Sequence, residues 1–286
     1  MRTIASTLLG LTLCAASSAA SAGMMTLYDG AVNTAPEQQG WFYRYLPLLP
    51  PVIPTVAGGL ATLDTTGGNG IQAGWFTTDP LAPASVHPDM PVLDRNAGYT
   101  VRFDLRVESE MHARPDRAGI SLIALGSDRK GVELGFWTDE VWAQSDDPLF
   151  THAEGVAFAT TSLIRYELSV LGAAYTLYAD GSPILAGSLR DYSVFGPPYS
   201  TANQLFIGDD TTSARARFDL AYVAVGLAPV SVPEPSTLTL LVLSGFAGLA
   251  WRGRPGGSGS IARRSRNWPR AQSRWTPGSR HGQSMS

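Results

Sequence analysis

The carboxylates whose spacing could support acid–base chemistry lie in one stretch, from Glu133 to Glu140. Hydrolysis of a glycosidic bond needs two carboxyl groups, ~5–5.5 Å apart in retaining enzymes and ~6.5–9.5 Å in inverting ones. In an extended strand Glu133 and Asp139 face the same way but lie roughly 20 Å apart. Gly135 and Trp137 occupy the positions between them. We therefore expect no catalytic residue and no enzymatic activity.

The same stretch is better suited to holding a sugar than to cleaving one. Trp137 faces the same way as Glu133 and Gly135, and an indole beside a small residue could pack on the C–H face of a sugar ring. Trp142 and Tyr178 could extend this surface. The alternative is that these aromatic side chains form the core of the domain, because aromatic residues bury large areas. The sequence alone leaves both interpretations open.

An acidic turn, Gly208 to Ser213, suggests one cation site. Asp209 and Asp210 are adjacent carboxylates with hydroxyl groups nearby, and such oxygen ligands suit a structural calcium ion. Asp and Thr also bond their own backbone in tight turns, which is the competing explanation. We predict no other cofactor.

Further catalytic patterns are missing from the sequence. The histidines, at 87, 112, 152 and 281, have no metal-ligand spacing. No Gly-x-Ser-x-Gly turn marks a nucleophilic serine. Cys14 is the only cysteine, so disulfide and thiol chemistry are excluded once the first residues are removed.

Alternating apolar and polar residues predict β-strands through most of the chain. Between 99 and 107 the odd positions are Tyr, Val, Phe, Leu and Val, while Thr, Arg, Asp and Arg alternate with them. Asp180-Gly181 predicts a hairpin turn. About ten to thirteen short strands without helices indicate an all-β, two-sheet antiparallel sandwich over residues 23–228.

Charge is distributed unevenly along the chain. The net charge is −3, yet residues 252–286 contain eight arginines and no acid. The part between residues 23 and 251 carries 12 basic and 24 acidic side chains, a net charge of −12. Such an acidic domain does not attract polyanions, which argues against nucleic acid as a partner.

The first 22 residues have the pattern of a secretory signal peptide. Arg2 gives a positive start, an apolar run follows, and Ala20 and Ala22 supply the small residues that signal peptidase accepts. We predict removal of residues 1–22 and export of the rest.

A second apolar run, 236–251, follows Pro233-Glu234-Pro235 and precedes Arg252 and Arg254. We predict a short apolar helix that stops in the inner membrane, with its arginines on the cytoplasmic side. The run is short of the ~20 residues that span a bilayer comfortably. The tail, 255–286, is rich in Arg, Gly, Ser and Pro and is predicted to be disordered.

This order of features, over residues 229–254, resembles the PEP-CTERM sorting signal of Gram-negative bacteria, with Pro233, Glu234, Pro235 and Ser236 as the sorting motif. The resemblance implies recognition by an exosortase, cleavage near the motif and transfer to the cell surface or the extracellular matrix. It also implies an association with exopolysaccharide or biofilm. The chain departs from the family pattern by continuing to Ser286.

Residues 99–225 are similar to concanavalin A-like jelly rolls found in bacterial surface proteins with alternative anchors. The stretches that carry this likeness are 131–144, 175–187 and 205–226. Hydrolases on this fold set Glu, Asp and Glu at alternate positions of one strand, and Gly135 stands here where the middle acid belongs. We therefore expect a non-enzymatic, exported surface protein that associates with exopolysaccharide and binds glycan. The alternative is a glycoside hydrolase or lyase on the same fold.

Overall fold

The computed structural model describes residues 23–47, 50–68 and 70–230. Over these residues the chain forms fifteen strands and three short 3-10 turns, with no α-helix. The strands are β1 (Met24–Asp29), β2 (Phe42–Leu46), β3 (Thr55–Ala57), β4 (Leu60–Asp64), β5 (Gln72–Phe76), β6 (Tyr99–His112), β7 (Ser121–Leu125), β8 (Gly131–Phe136), β9 (Glu140–Asp146), β10 (Leu149–Ala157), β11 (Ile164–Leu171), β12 (Ala174–Ala179), β13 (Ser182–Ser188), β14 (Gln204–Asp209) and β15 (Ala214–Gly226).

The strands form two antiparallel sheets, so the predicted two-sheet all-β sandwich is confirmed. The eight-stranded sheet has the order β13-β12-β11-β6-β15-β4-β3, and β1 also pairs with β15. The seven-stranded sheet has the order β10-β9-β8-β7-β14-β5-β2. The first and last strands of the domain are therefore neighbours, with Met24 opposite Gly226.

The main hydrophobic core lies between the two sheets. In β6 the residues Tyr99, Val101, Phe103, Leu105 and Val107 are all buried, as their alternation predicts. The interior takes in side chains from both sheets, and every strand lies within residues 24–226. The sandwich therefore contains its own core and is a self-contained folding unit.

The outer face of the eight-stranded sheet carries paired charges. The alternating Arg and Asp of β6 meet partners on the adjacent strands: Arg102 binds Glu167 at 2.6 Å and Arg106 binds Asp219 at 2.5 Å. These pairs are only partly exposed, and Asp219 is buried. They make the outer face of this sheet polar.

The hairpin predicted at Asp180-Gly181 is confirmed. Both residues have positive φ angles, 47° and 78°, as a two-residue loop between β12 and β13 requires. Over the described residues no helix is long and apolar enough to cross a membrane. The predicted signal peptide, the sorting motif, its apolar helix and the basic tail lie outside the described residues.

Candidate functional site

Residues 189–203, between β13 and β14, cross the outer face of the seven-stranded sheet. We call them the crossing segment. Two backbone hydrogen bonds between Arg190 and Gly131, of 2.7 and 2.9 Å, attach its start to β8. Further along the segment, the side chains of Tyr192 and Tyr199 are buried against Ile123, Leu125 and Phe206 of the sheet. Because of this cover, the central strands of this sheet are buried on both faces.

A cleft of about 600 Å³ opens beside the crossing segment, on the same outer face. Its floor is polar and is formed by Arg117, Glu133, Gln144, Tyr199 and Asp210. Its walls are mainly aromatic and proline side chains, namely Tyr45, Phe76, Phe150, Phe195, Pro197 and Pro198. Apolar walls around a few polar groups are the usual composition of a ligand site.

The tyrosine hydroxyl of Tyr199 joins two carboxyl groups at the floor of the cleft. It lies 2.7 Å from Oε2 of Glu133 and 2.8 Å from Oδ2 of Asp210. Ser121 donates a weaker hydrogen bond, 3.2 Å, to Oε1 of Glu133. Tyr199 has a single hydroxyl proton. Both short contacts are satisfied only if one carboxyl group also carries a proton, or if a cation lies beside the pair.

Burial is the main reason that the pKa values of these groups are raised. It raises the pKa of Glu133 well above its usual range, and the nearby charge of Asp210 raises that pKa further. Hydrogen bonds from Tyr199 and Ser121, and the charge of Arg117, act in the opposite direction. Burial likewise raises the pKa of the Asp210 carboxyl and of the Tyr199 hydroxyl. Perturbed carboxyl groups of this kind, in a cleft, are candidates for a functional site.

Gln144 contributes an acceptor to the same floor. It follows Ala143, which pairs with Leu134, so it lies beside Glu133 on the outer face of the sheet. Its amide nitrogen donates to the backbone oxygen of Asp116 at 3.2 Å. Its Oε1 is buried and has no hydrogen-bond partner among the described residues. A buried acceptor without a donor costs free energy, so a ligand that donates there gains affinity.

The three predicted sugar-binding aromatics do not form one surface. Trp137 and Trp142 lie together, with ring centres 5.6 Å apart, but are 9% and 0% exposed. Each stacks on a histidine: His112 lies 4.0 Å from Trp137, and His152 lies 4.5 Å from Trp142. Tyr178 lies in β12, on the other sheet. All three are buried, but none belongs to the main core between the sheets: Trp137 and Trp142 form a separate cluster with Ala118. Their role in glycan binding stays a prediction.

Asp209 and Asp210 face opposite sides of the seven-stranded sheet. Asp210 reaches Tyr199 on the outer face, whereas Asp209 accepts a 2.6 Å hydrogen bond from Thr65 of the other sheet. Burial raises the pKa of Asp209 to about 9. Over the described part of the chain, no three His, Cys, Asp or Glu side chains are grouped to hold a metal ion. The two carboxylates are not arranged to chelate one ion together.

Gly135 has a packing role. A Cβ atom at this position would lie 2.8 Å from the ring of Trp142 and 3.0 Å from Ala118. The indole therefore occupies the space that a side chain at 135 would need. This explains in physical terms why no acid stands in the middle of the β8 stretch.

Sequence reasoning singled out Glu133 and Asp210 but missed their connection through Tyr199. It also missed Gln144 and the rim residue Phe195. The available signal was the composition of the crossing segment, where two tyrosines and a phenylalanine surround Gly196-Pro197-Pro198. Aromatic residues beside a rigid Gly-Pro-Pro bend are typical of a segment that packs on a surface rather than one that only connects strands.

The comparison with solved structures agrees with the jelly-roll assignment of the fold. A carbohydrate esterase of the Shiga toxin-encoding bacteriophage phi24B is 13% identical, with a TM-score of 0.50 over 72% of this chain and 100% of that one. A sialidase of Trypanosoma rangeli is 12% identical over 62% of this chain and 27% of that one, with a TM-score of 0.39. An alginate lyase, A1-II′, is 14% identical over 62% and 83%, with a TM-score of 0.37. At such identities the likeness concerns the fold alone.

Residues 231–254 match the PEP-CTERM protein-sorting motif, which confirms the sequence-based recognition of this segment. The motif implies processing by an exosortase, export, and membrane-associated sorting to the cell surface. A search among curated proteins gives no match. The chain therefore combines a β-sandwich with a segment that matches a motif for exosortase-dependent sorting.

Proposed function

We propose that this protein is a non-enzymatic surface protein that binds glycan through the cleft beside the crossing segment and associates with exopolysaccharide. The observation that carries this proposal is the composition of the cleft. Aromatic walls can pack on the C–H faces of sugar rings, and the polar floor can bond their hydroxyl groups. A volume of about 600 Å³ has room for a short oligosaccharide.

Phe195 is the wall residue best placed to contact a glycan. It is 59% exposed, and its ring packs edge-on against Phe150, with centres 4.8 Å apart. Its neighbour Val194 is 83% exposed and does not line the cleft. The two positions differ in access to the cleft while belonging to the same short turn.

The test is binding of a purified fragment, residues 23–230, to a glycan array and to exopolysaccharide from the producing bacterium. We expect Phe195→Ala to weaken binding about tenfold, because loss of an aromatic contact with the ligand can cost more than about 1 kcal/mol. Val194→Ala, the matched control, retains binding. Equal binding by both variants, or no glycan binding by the wild-type fragment, contradicts the proposal.

The Glu133–Tyr199–Asp210 group is the observation that favours the alternative, a carbohydrate-active enzyme. Two carboxyl groups that hold protons tightly could act as acid and base. However, the Tyr199 hydroxyl occupies the space between them, where a reacting sugar would have to lie. We therefore favour binding. Release of reducing sugar or unsaturated product from polysaccharide, lost in Glu133→Gln, would instead support the enzyme.

A further inference from the structure

The floor of the cleft is rich in acceptors and poor in donors. Glu133 and Asp210 share the single proton of Tyr199, and the Oε1 of Gln144 has no donor among the described residues. Two cationic side chains line the cleft, Arg44 and Arg117. Arg44 is paired with Asp79, and the Nη1 of Arg117 already donates to the backbone oxygens of Asp116 and Phe150. A ligand that brings several donors and a positive charge matches this floor.

A primary ammonium group has that chemistry. It carries three N–H donors, no acceptor and one positive charge. A sugar hydroxyl brings only one donor, and an acetamido group brings one donor together with an acceptor that finds no complement here. The acidic surroundings, with a net charge of −12 between residues 23 and 251, also attract cationic rather than anionic polymers.

A divalent metal ion matches the same floor less well. Calcium takes six to eight oxygen ligands, whereas the two carboxyl groups, Gln144 and Tyr199 supply few. Over the described residues no three His, Cys, Asp or Glu side chains come together. An ammonium ion needs only three acceptors, and three are present.

We propose that the glycan bound in this cleft carries free amino groups, and that a sugar ammonium is held by Glu133, Asp210 and Gln144. The ligand class is thus an amino-sugar polymer that is at least partly deacetylated. This inference rests on the proposed glycan-binding function and adds to it the chemical class of the ligand.

The test compares three tetrasaccharides of matched length by calorimetry, using the 23–230 fragment at neutral pH, where part of the amine is protonated and the carboxyl groups are less protonated than in acid. They are β-1,4-linked glucosamine, N-acetylglucosamine and glucose. We expect the glucosamine oligomer to bind at least about tenfold tighter than the acetylated one. Asp210→Asn, Glu133→Gln and Gln144→Met should each reduce this preference, and Asp210→Asn should nearly abolish it.

The control variant is Asp89→Asn, which removes an exposed carboxylate outside the cleft and should leave the preference unchanged. Retained binding of the acetylated oligomer and an unchanged circular dichroism spectrum establish that a variant is folded. An equal loss of preference in Asp89→Asn would mean that general surface charge, not the floor of the cleft, attracts the amine, and would overturn the inference.

Two further results would overturn it in distinguishable ways. Equal affinity for the amino and acetylated oligomers refutes the ligand class but leaves the proposed glycan-binding function intact. A calcium-dependent signal that disappears with chelator assigns the floor to a metal ion instead. If no glycan binds at all, on the array or in calorimetry, both the proposed function and this inference fail.

Discussion

At the scale of single residues, the sequence predicted which side chains have unusual chemistry better than it predicted their partners. Glu133 was weighed against acids on its own strand, yet its partner Tyr199 lies 66 residues further along the chain. Asp209 and Asp210 were weighed as a pair, although successive side chains of a strand point to opposite faces. Contacts between distant parts of a chain depend on strand order, which local patterns do not encode.

Asp209 makes the stability of the sandwich depend on pH. Its pKa is about 9 in the folded protein, raised mainly by burial, against ~3.9 in an unfolded chain. Between these values the folded state holds a proton that the unfolded state has lost, so the free energy of unfolding falls as pH rises from about 4 to about 9.

We expect Asp209→Asn to remove the part of this slope that Asp209 contributes, because the amide does not titrate, while Glu133 and Asp210, whose pKa values burial also raises, keep theirs. Thermal unfolding of wild type and variant between pH 5 and pH 9 measures it, and the variant should gain at least about 1 kcal/mol relative to wild type over that range. Parallel curves for the two proteins would contradict the assignment of the slope to Asp209.

At the scale of secondary-structure elements, the alternating strand β6 was predicted well and the strand β9 was not. β6 alternates and was recognised close to its true start, although it runs on to His112. β9, Glu140–Asp146, was missed as a strand because three of its consecutive residues, Val141, Trp142 and Ala143, are all apolar and buried and therefore show no alternation. Trp142 packs with Trp137 and Ala118 in a small cluster of its own, so this part of β9 has no exposed side.

Packing of β8 against β9 depends on Gly135. An aspartate there, which would supply the middle acid found in hydrolases on this fold, has to displace the Trp142 ring that lies 2.8 Å from the site of its Cβ. We expect Gly135→Asp to destabilise the domain by at least about 1–3 kcal/mol from overpacking, with a further cost for a buried charge.

Chemical denaturation measures this loss. Gly67→Ala serves as the control, since its Cβ would meet only the Ile71 side chain at 3.8 Å, and it should change stability by less than about 0.5 kcal/mol. A Gly135→Asp variant as stable as the control would show that the Trp142 ring is free to move away.

At the scale of the whole molecule, composition and terminal patterns predicted the architecture and the route of the protein more securely than its ligand. Alternation and turn chemistry indicated a two-sheet sandwich, and the Pro-Glu-Pro stretch indicated the sorting motif, because both are local properties of the sequence. The cleft, in contrast, is not a local property of the sequence. It is formed by β2, β5, the loop before β7, β8, β9, the crossing segment and the turn after β14, which only the complete fold brings together.

The sandwich should unfold as one cooperative unit, because the two longest strands, β6 and β15, pair in the middle of the larger sheet. A fragment ending at residue 213 lacks β15 and leaves β1, β4 and β6 without their shared partner. We expect it to lose the native circular dichroism spectrum and the thermal transition altogether. A fragment ending at residue 230 should keep both, and a folded shorter fragment would refute the expectation.

The position of β15 has a consequence for the timing of export. In a chain exported amino end first, β15 is the last strand to emerge. It lies between β6 and β4 in the larger sheet and ends at Gly226, five residues before the segment that matches the sorting motif. While the chain emerges amino end first, the gap between β6 and β4 stays open and the first strand has no partner. The domain can thus complete its larger sheet only after β15 has emerged, when the segment that matches the sorting motif follows five residues behind. Folding of the domain and the processing that the motif implies would therefore be close in time.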